Sequence, residues 1–160
     1  MNAIDLLKKQ HQEAKELFSS LEEAEVEEKQ DLFEKLADAL ATHAAIEERH
    51  FYPATKDDRT EDLLHEAVEE HLSVKRLIAD LLDLSPSDAQ FDAKVKVLKE
   101  QVEHHVEEEE GELFPKVKKA HSAQELNDLG ILMEETAEEL LQSQPRNQVP
   151  LETGAAAPIE

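Results

Sequence analysis

The chain has 160 residues, 39% apolar and 35% charged, with a formal charge of −22 from 17 basic and 39 acidic residues. So acidic a chain repels a phosphate backbone and an anionic membrane surface, so neither nucleic acid nor membrane is an expected partner. Cysteine is absent, which removes disulfides, thiolate chemistry and iron–sulfur clusters, and three glycines with a single tyrosine argue against a multi-stranded β fold.

Five helical segments follow along the chain. The first is expected over 2–23, with Asn2 as its cap and Asp5 three residues on. A second covers about 29–52, where Pro53 ends or bends it. The third runs over 60–84. A fourth is expected over 86–119, with Ser85 as cap, Pro86 at the first helical position and Asp88 at the third. "SAQE" at 122–125 reads as a capping box that opens a shorter fifth helix, ending near Gln142. The tail from 143 to 160 has scattered prolines and few large apolar residues, and reads as disordered. The expected architecture is therefore all-α: an up-down-up-down four-helix bundle over 1–142, with a short additional C-terminal helix. No apolar run reaches the ~20 residues of a membrane span. The first ten residues lack the apolar stretch of a signal peptide, so a cytoplasmic setting is expected.

Each bundle helix carries an apolar stripe at spacings of three and four. The first reads Ile4, Leu7, His11, Ala14, Phe18, Leu21, and the second Leu32, Leu36, Ala39, His43, Glu47, His50. The third reads Leu64, Ala67, His71, Val74, Ile78, Leu81, and the fourth Phe91, Val95, Leu98, Val102, His105, Glu109, Leu113. Histidine interrupts every stripe, and glutamate follows it by one turn in two of them. A buried carboxylate without a partner costs several kcal/mol, so two of them call for a compensating cation.

The chain also repeats itself. "HAAIEERHFYP" at 43–53 aligns with "HVEEEEGELFP" at 105–115, and "HQEAKELFSSL" at 11–21 aligns with "HLSVKRLIADL" at 71–81. The bundle is two copies of a helix pair, each with one histidine on its first helix and His-x-x-x-Glu on its second. Four histidines and two carboxylates thus reach one level of the core: His11, His43, Glu47, His71, His105 and Glu109. Imidazole and carboxylate without thiolate suit non-heme iron, manganese or zinc. Two octahedral ions bridged by both glutamates and one oxo or hydroxo oxygen would each keep one open position. Glu107, Glu108 and Glu110 are expected in solvent and His104 at the rim. His65 is expected in solvent, and His121 near the fourth helix's end.

At these residues the chain resembles the hemerythrin-like family of HHE cation-binding domains over roughly 3–119. The resemblance implies a left-handed four-helix bundle around two non-heme iron ions with an oxo bridge. It implies His11, His43, His71 and His105 as terminal ligands and Glu47 and Glu109 as bridging ones. Oxygen-carrying members have a second histidine one turn from the third-helix ligand, where this chain has Ala67 and Lys75. His50 and Glu112 stand three residues after each carboxylate, as a seventh ligand or as a hydrogen-bond partner behind the metal. The function implied is binding or sensing of small oxidants: dioxygen, peroxide or nitric oxide. The alternatives are a redox enzyme reducing peroxide or nitric oxide, or an iron buffer or store.

Overall fold

The structure, a computed structural model, describes residues 1–159. It is all-helical, with no strand among the described residues. In chain order the helices are α1 (Ala3–Glu23), α2 (Val26–Ile46), α3 (Tyr52–Thr55), α4 (Glu61–Leu82), α5 (Ala89–Glu108), α6 (Phe114–Ala120) and α7 (Ala123–Gln142). One π-helical turn, Glu47–Phe51, joins α2 to α3, and another, Glu109–Leu113, joins α5 to α6. The helix pairs α1–α2 and α4–α5 form the bundle, and α7 packs outside it on α1 and α2.

Local chemistry accounts for most of the boundaries. Asn2 caps α1 by accepting from the Asp5 N–H at 2.9 Å. Ser122 and Glu125 form the expected reciprocal capping box at the start of α7. Ser85 does not cap α5. It accepts from the Ser87 N–H within a turn, and Asp88 becomes the cap by accepting from Gln90 N–H at 2.8 Å. The helix therefore starts three residues later than Pro86. Helix α7 opens and ends where expected, at Ala123 and Gln142. Its Gly130 faces the N-terminus, and a Cβ there would collide with the Met1 carbonyl and the Asn2–Ala3 peptide.

Two apolar cores stack along the bundle. One gathers Leu7, Ile46, Phe51, Leu64, Phe114 and Met133, and the other Phe18, Phe33, Leu36, Ile78, Phe91 and Leu98. Burying each such aromatic contributes about 2–3 kcal/mol. The four stripe histidines and both stripe glutamates belong to neither core and lie at the level between them. On α1 the order is Leu7, then His11, then Ala14, and on α4 it is Val68, His71, Ile78. The polar layer is thus sandwiched between two dry ones.

The tail departs from expectation. Pro145–Glu152 forms a 3₁₀ segment docked on α2 and α4, with Val149 buried in the second core. Arg146 bonds Asp38 through its guanidinium at 2.8 Å and its N–H at 3.0 Å. Glu152 pairs with Lys75 at 3.0 Å, and Arg76 donates to the Thr153 carbonyl. Composition suggested too little apolar surface to order this stretch. It needs only one valine because the groove it fills is already built.

Candidate metal centre

Both π turns begin at a stripe glutamate, and the reason lies six residues on. Pro53 and Pro115 lack an N–H, and their rings would crowd the carbonyl four residues back in a regular helix. The turn widens instead: the Tyr52 N–H reaches Glu47 O and the Phe114 N–H reaches Glu109 O, five residues back. One added residue per turn shifts the helical phase. His50 leaves the stripe, and Phe51 and Tyr52 become fully buried in its place.

That phase shift corrects the expectation for His50 and Glu112. His50 Nε2 bonds Thr136 Oγ1 on α7 at 2.8 Å, away from the other histidines, and Glu112 is exposed. The six stripe residues, in contrast, come together. His11 Nε2 lies 3.1 Å from Glu109 Oε1, and His43 Nε2 lies 3.2 Å from Glu47 Oε1. His71 Nε2 is 3.1 Å from Glu47 Oε1, and His105 Nε2 is 3.4 Å from Glu109 Oε2. The ligand atoms fall into two groups, His11–His43–Glu109 and Glu47–His71–His105, each closing within 4.8 Å. Each group takes two histidines from one helix pair and its glutamate from the other.

Every one of these histidines turns Nε2 inward because Nδ1 is occupied outside. His43 Nδ1 bonds Gln10 Oε1 at 2.7 Å, and His105 Nδ1 bonds Glu70 Oε1 at 2.7 Å. His71 Nδ1 donates to Glu48 Oε2 at 2.8 Å, and His11 Nδ1 to Glu110 Oε2 at 2.7 Å. Such partners fix the tautomer and leave the inner nitrogen lone pair for a metal. Glu110 is therefore not simply solvated, as its place in the acidic run suggested. The signal was present in the repeat: Gln10 and Glu70 each precede the first-helix histidine, and Glu48 and Glu110 each follow the stripe glutamate. His104 does lie at the exposed rim, beside Glu70 and Glu108. His65 is exposed too, and His121 pairs with Glu125 near the end of α6.

Tyr52 is the residue the stripes did not single out. Its hydroxyl donates to Glu109 Oε2 at 2.7 Å and lies 3.3 Å and 3.4 Å from the Nε2 atoms of His71 and His105. Burial, with Glu109 and Glu47 beside it, pushes this phenol well above its ordinary range, so it stays protonated. Among protein groups alone, burial would strip charge from the whole layer, but the opposite charges outweigh it. His43 rises to about 9 against its own burial because Glu47 and Glu109 adjoin it. Glu47 is held at about 2 despite burial and Glu109, by the neighbouring histidines. His71 and His105 are raised likewise, against burial, by Glu47 and Glu109 respectively with other carboxylates adding.

The donor set fits a pair of cations. His43 Nε2 and Glu47 Oε2 are fully buried with no hydrogen-bond partner, which a native core rarely tolerates. Both belong to the inner layer, and a coordinated ion would satisfy each. Beside them lies a partly open cavity of about 40 Å³, lined by Ala39, Leu40, Val74, Ile78 and Val102 with His11, His43, His71 and His105. A single water needs about 10–15 Å³ on this measure, so a diatomic molecule fits.

The hemerythrin HHE cation binding domain model matches residues 2–117. A solved hemerythrin HHE cation binding domain-containing protein from Mycobacterium kansasii is 29% identical, with a TM-score of 0.80 over 95% of this chain and 99% of that one. A DNA nickase from Nostoc sp. is 29% identical over 126 residues, which is 78% of this chain. The chain spans only 36% of that relative's length.

Proposed function

The chain belongs to the hemerythrin HHE cation-binding domain family, and from that premise we propose that it holds two non-heme iron ions and binds or senses a small oxidant there: dioxygen, peroxide or nitric oxide. The observation that carries the reading is the pair of three-residue donor groups in one buried layer, sharing carboxylates across the gap. His11, His43 and Glu109 would hold one ion and Glu47, His71 and His105 the other. When bound, the iron pair would supply open coordination and electrons for the oxidant.

The protein's own contribution is shape and proton placement. Apolar walls keep the cavity dry and sized for a two- or three-atom ligand. Gln10, Glu48, Glu70 and Glu110 orient the imidazoles. Tyr52 holds a proton on its hydroxyl within the layer, shared with Glu109. That proton favours the second reading, an enzyme that reduces peroxide or nitric oxide, because such reductions consume protons at the site. Storage or buffering of iron has no comparable support, since the ligands are buried.

No helix among the described residues is long and apolar enough to cross a membrane, and a cytoplasmic setting belongs to the same proposal. The charge of −22 weighs against nucleic acid as a partner, so we do not carry the nickase activity to this chain. The test is metal analysis with an optical spectrum of the isolated protein. Two irons per chain with near-ultraviolet oxo-to-iron bands support the reading. A chain that takes up no iron when offered it anaerobically would sink it. Turnover of added peroxide then separates enzyme from binder.

A further inference from the structure

The cavity beside the candidate metal centre is lined by residues of all four bundle helices, and Val149 of the 3₁₀ segment lines it too, from the groove between α2 and α4 that the segment fills. Val149 is 2% exposed and packs with the second core, yet it is the only residue of its segment besides Pro145 that is buried. A single turn-like segment of this kind has little internal stability. What holds it is ionic and lies at its ends: Arg146 with Asp38 and Glu34, and Glu152 with Lys75. An apolar plug on two ionic latches is a unit that can open locally while the bundle stays folded.

The internal repeat sharpens the point. Lys15 holds the place on α1 that Lys75 holds on α4, so the groove between α1 and α5 is the counterpart of the one the segment fills. That counterpart is an open cleft, with Lys8, Lys15 and Lys99 along it and no covering segment. The cover is thus not a requirement of the bundle. It has been added on the side where the cavity reaches the surface.

We propose that Pro145–Glu152 is a removable size filter for the ligand cavity, with Val149 as the limiting residue and the Arg146–Asp38 and Lys75–Glu152 pairs as its latches. This rests on the reading above that the cavity serves a metal-bound ligand. The filter admits two- and three-atom ligands and excludes anything with a branched or aromatic body. Lys75 has a second attachment, to Glu48 Oε1 at 3.0 Å, and Glu48 in turn takes the His71 Nδ1 proton. Latching therefore also fixes the partner of one inner histidine.

The experiment uses the full chain loaded with ferric iron, as wild type, as Val149→Ala and as the double variant Arg146→Gln, Glu152→Gln. Stopped-flow absorbance follows association of azide and of benzoate, which carry the same charge and differ in size. The double variant removes the Arg146–Asp38, Arg146–Glu34 and Lys75–Glu152 pairs, and the open population should rise roughly ten-fold. The benzoate rate should rise by that factor in the double variant and should also rise in Val149→Ala, while the azide rate moves little. An unchanged benzoate-to-azide ratio, or a wild type that admits both equally, overturns the filter and points to entry by the α1–α5 cleft. General loosening would raise both rates together, which also overturns it. Exchange of benzene with the metal-free chain, read from the methyl resonances of Val74, Val102 and Val149, covers the case in which no iron binds. Faster exchange on unlatching upholds the filter even if the iron reading has failed, and equal exchange removes it.

Discussion

Raising the pH over metal-free protein, prepared by chelation, should weaken the fold in a way that metal-loaded protein does not share. His43 titrates near 9 in the folded chain and near 6.5 when exposed. The folded state holds the extra proton between those values, so the stabilisation is complete below about pH 6.5 and is lost as pH rises through about 9. That gap corresponds to about 3 kcal/mol, from one histidine. His71 and His105 are raised in the same direction and add to it. Glu47 works at the opposite end: held near 2, it stabilises above about pH 4.5 and the benefit disappears as pH falls through about 2. In a metal-loaded form the inner nitrogens would bind metal and carry no proton, so the alkaline loss should vanish and metal uptake should release protons in that window. Urea unfolding at about pH 6 and about pH 9.5, at constant slope, measures it. Repulsion among the surface carboxylates affects both forms alike, so the difference between them isolates the layer. Metal-free protein as stable at the higher pH as at the lower, or the same decline in both forms, would refute the argument.

Replacing Tyr52 with Phe removes the hydroxyl that Glu109 accepts from, and should cost about 1–3 kcal/mol by leaving a buried carboxylate oxygen short of a donor. Iron content should stay at two per chain while peroxide-driven oxidation of the ferrous form slows; both are read by absorbance, and unchanged oxidation would dismiss the proton role. Glu70→Gln should weaken metal affinity by about 10–100-fold in a competition titration, since it loosens the orientation of His105. Gly130→Ala should lower the melting temperature. Alanine gains about 1 kcal/mol of helix propensity over glycine, but the collision with Met1 and Asn2 costs about 1–3 kcal/mol, and the N-terminal backbone has no flexible side chain to yield.

The stripes of α1, α4 and α5 were readable because their buried residues fall mostly at spacings of three and four, even though α1 also meets α7 and α4 also meets the tail. Helix α2 was harder. It meets the bundle, α7 and the tail, so Phe33, Ala37 and Leu40 are buried beside the stripe rather than on it. Extending the stripe from Glu47 to His50 failed for a different reason. Periodicity assumes constant pitch, and a proline six residues beyond the carboxylate breaks that assumption. The prolines at 53 and 115 were visible, but their effect upstream on the helix was not counted. The Nδ1 partners went unread because polar neighbours of a ligand look like surface charge. Only their recurrence at matching places in both repeats distinguishes them from the other carboxylates nearby. The tail escaped because order there depends on a groove made by α2 and α4, and no property of the tail's own residues reports the groove.

The exchange of carboxylates between the two helix pairs has a consequence for how such a protein can arise. A lone helical hairpin with one histidine on its first arm and His-x-x-x-Glu on its second completes neither donor group. Two identical hairpins facing each other across a dyad complete both at once, so a metal would reward self-association before any fusion of genes. Once the two are joined in one polypeptide, symmetry no longer has to be kept. The chain has used that freedom at few places near the metal layer: Tyr52 against Phe114, Gln10 against Glu70, and a covered lysine at 75 against an open one at 15. Each difference makes the two donor groups chemically distinguishable, which a true homodimer could not do by mutation of a single gene.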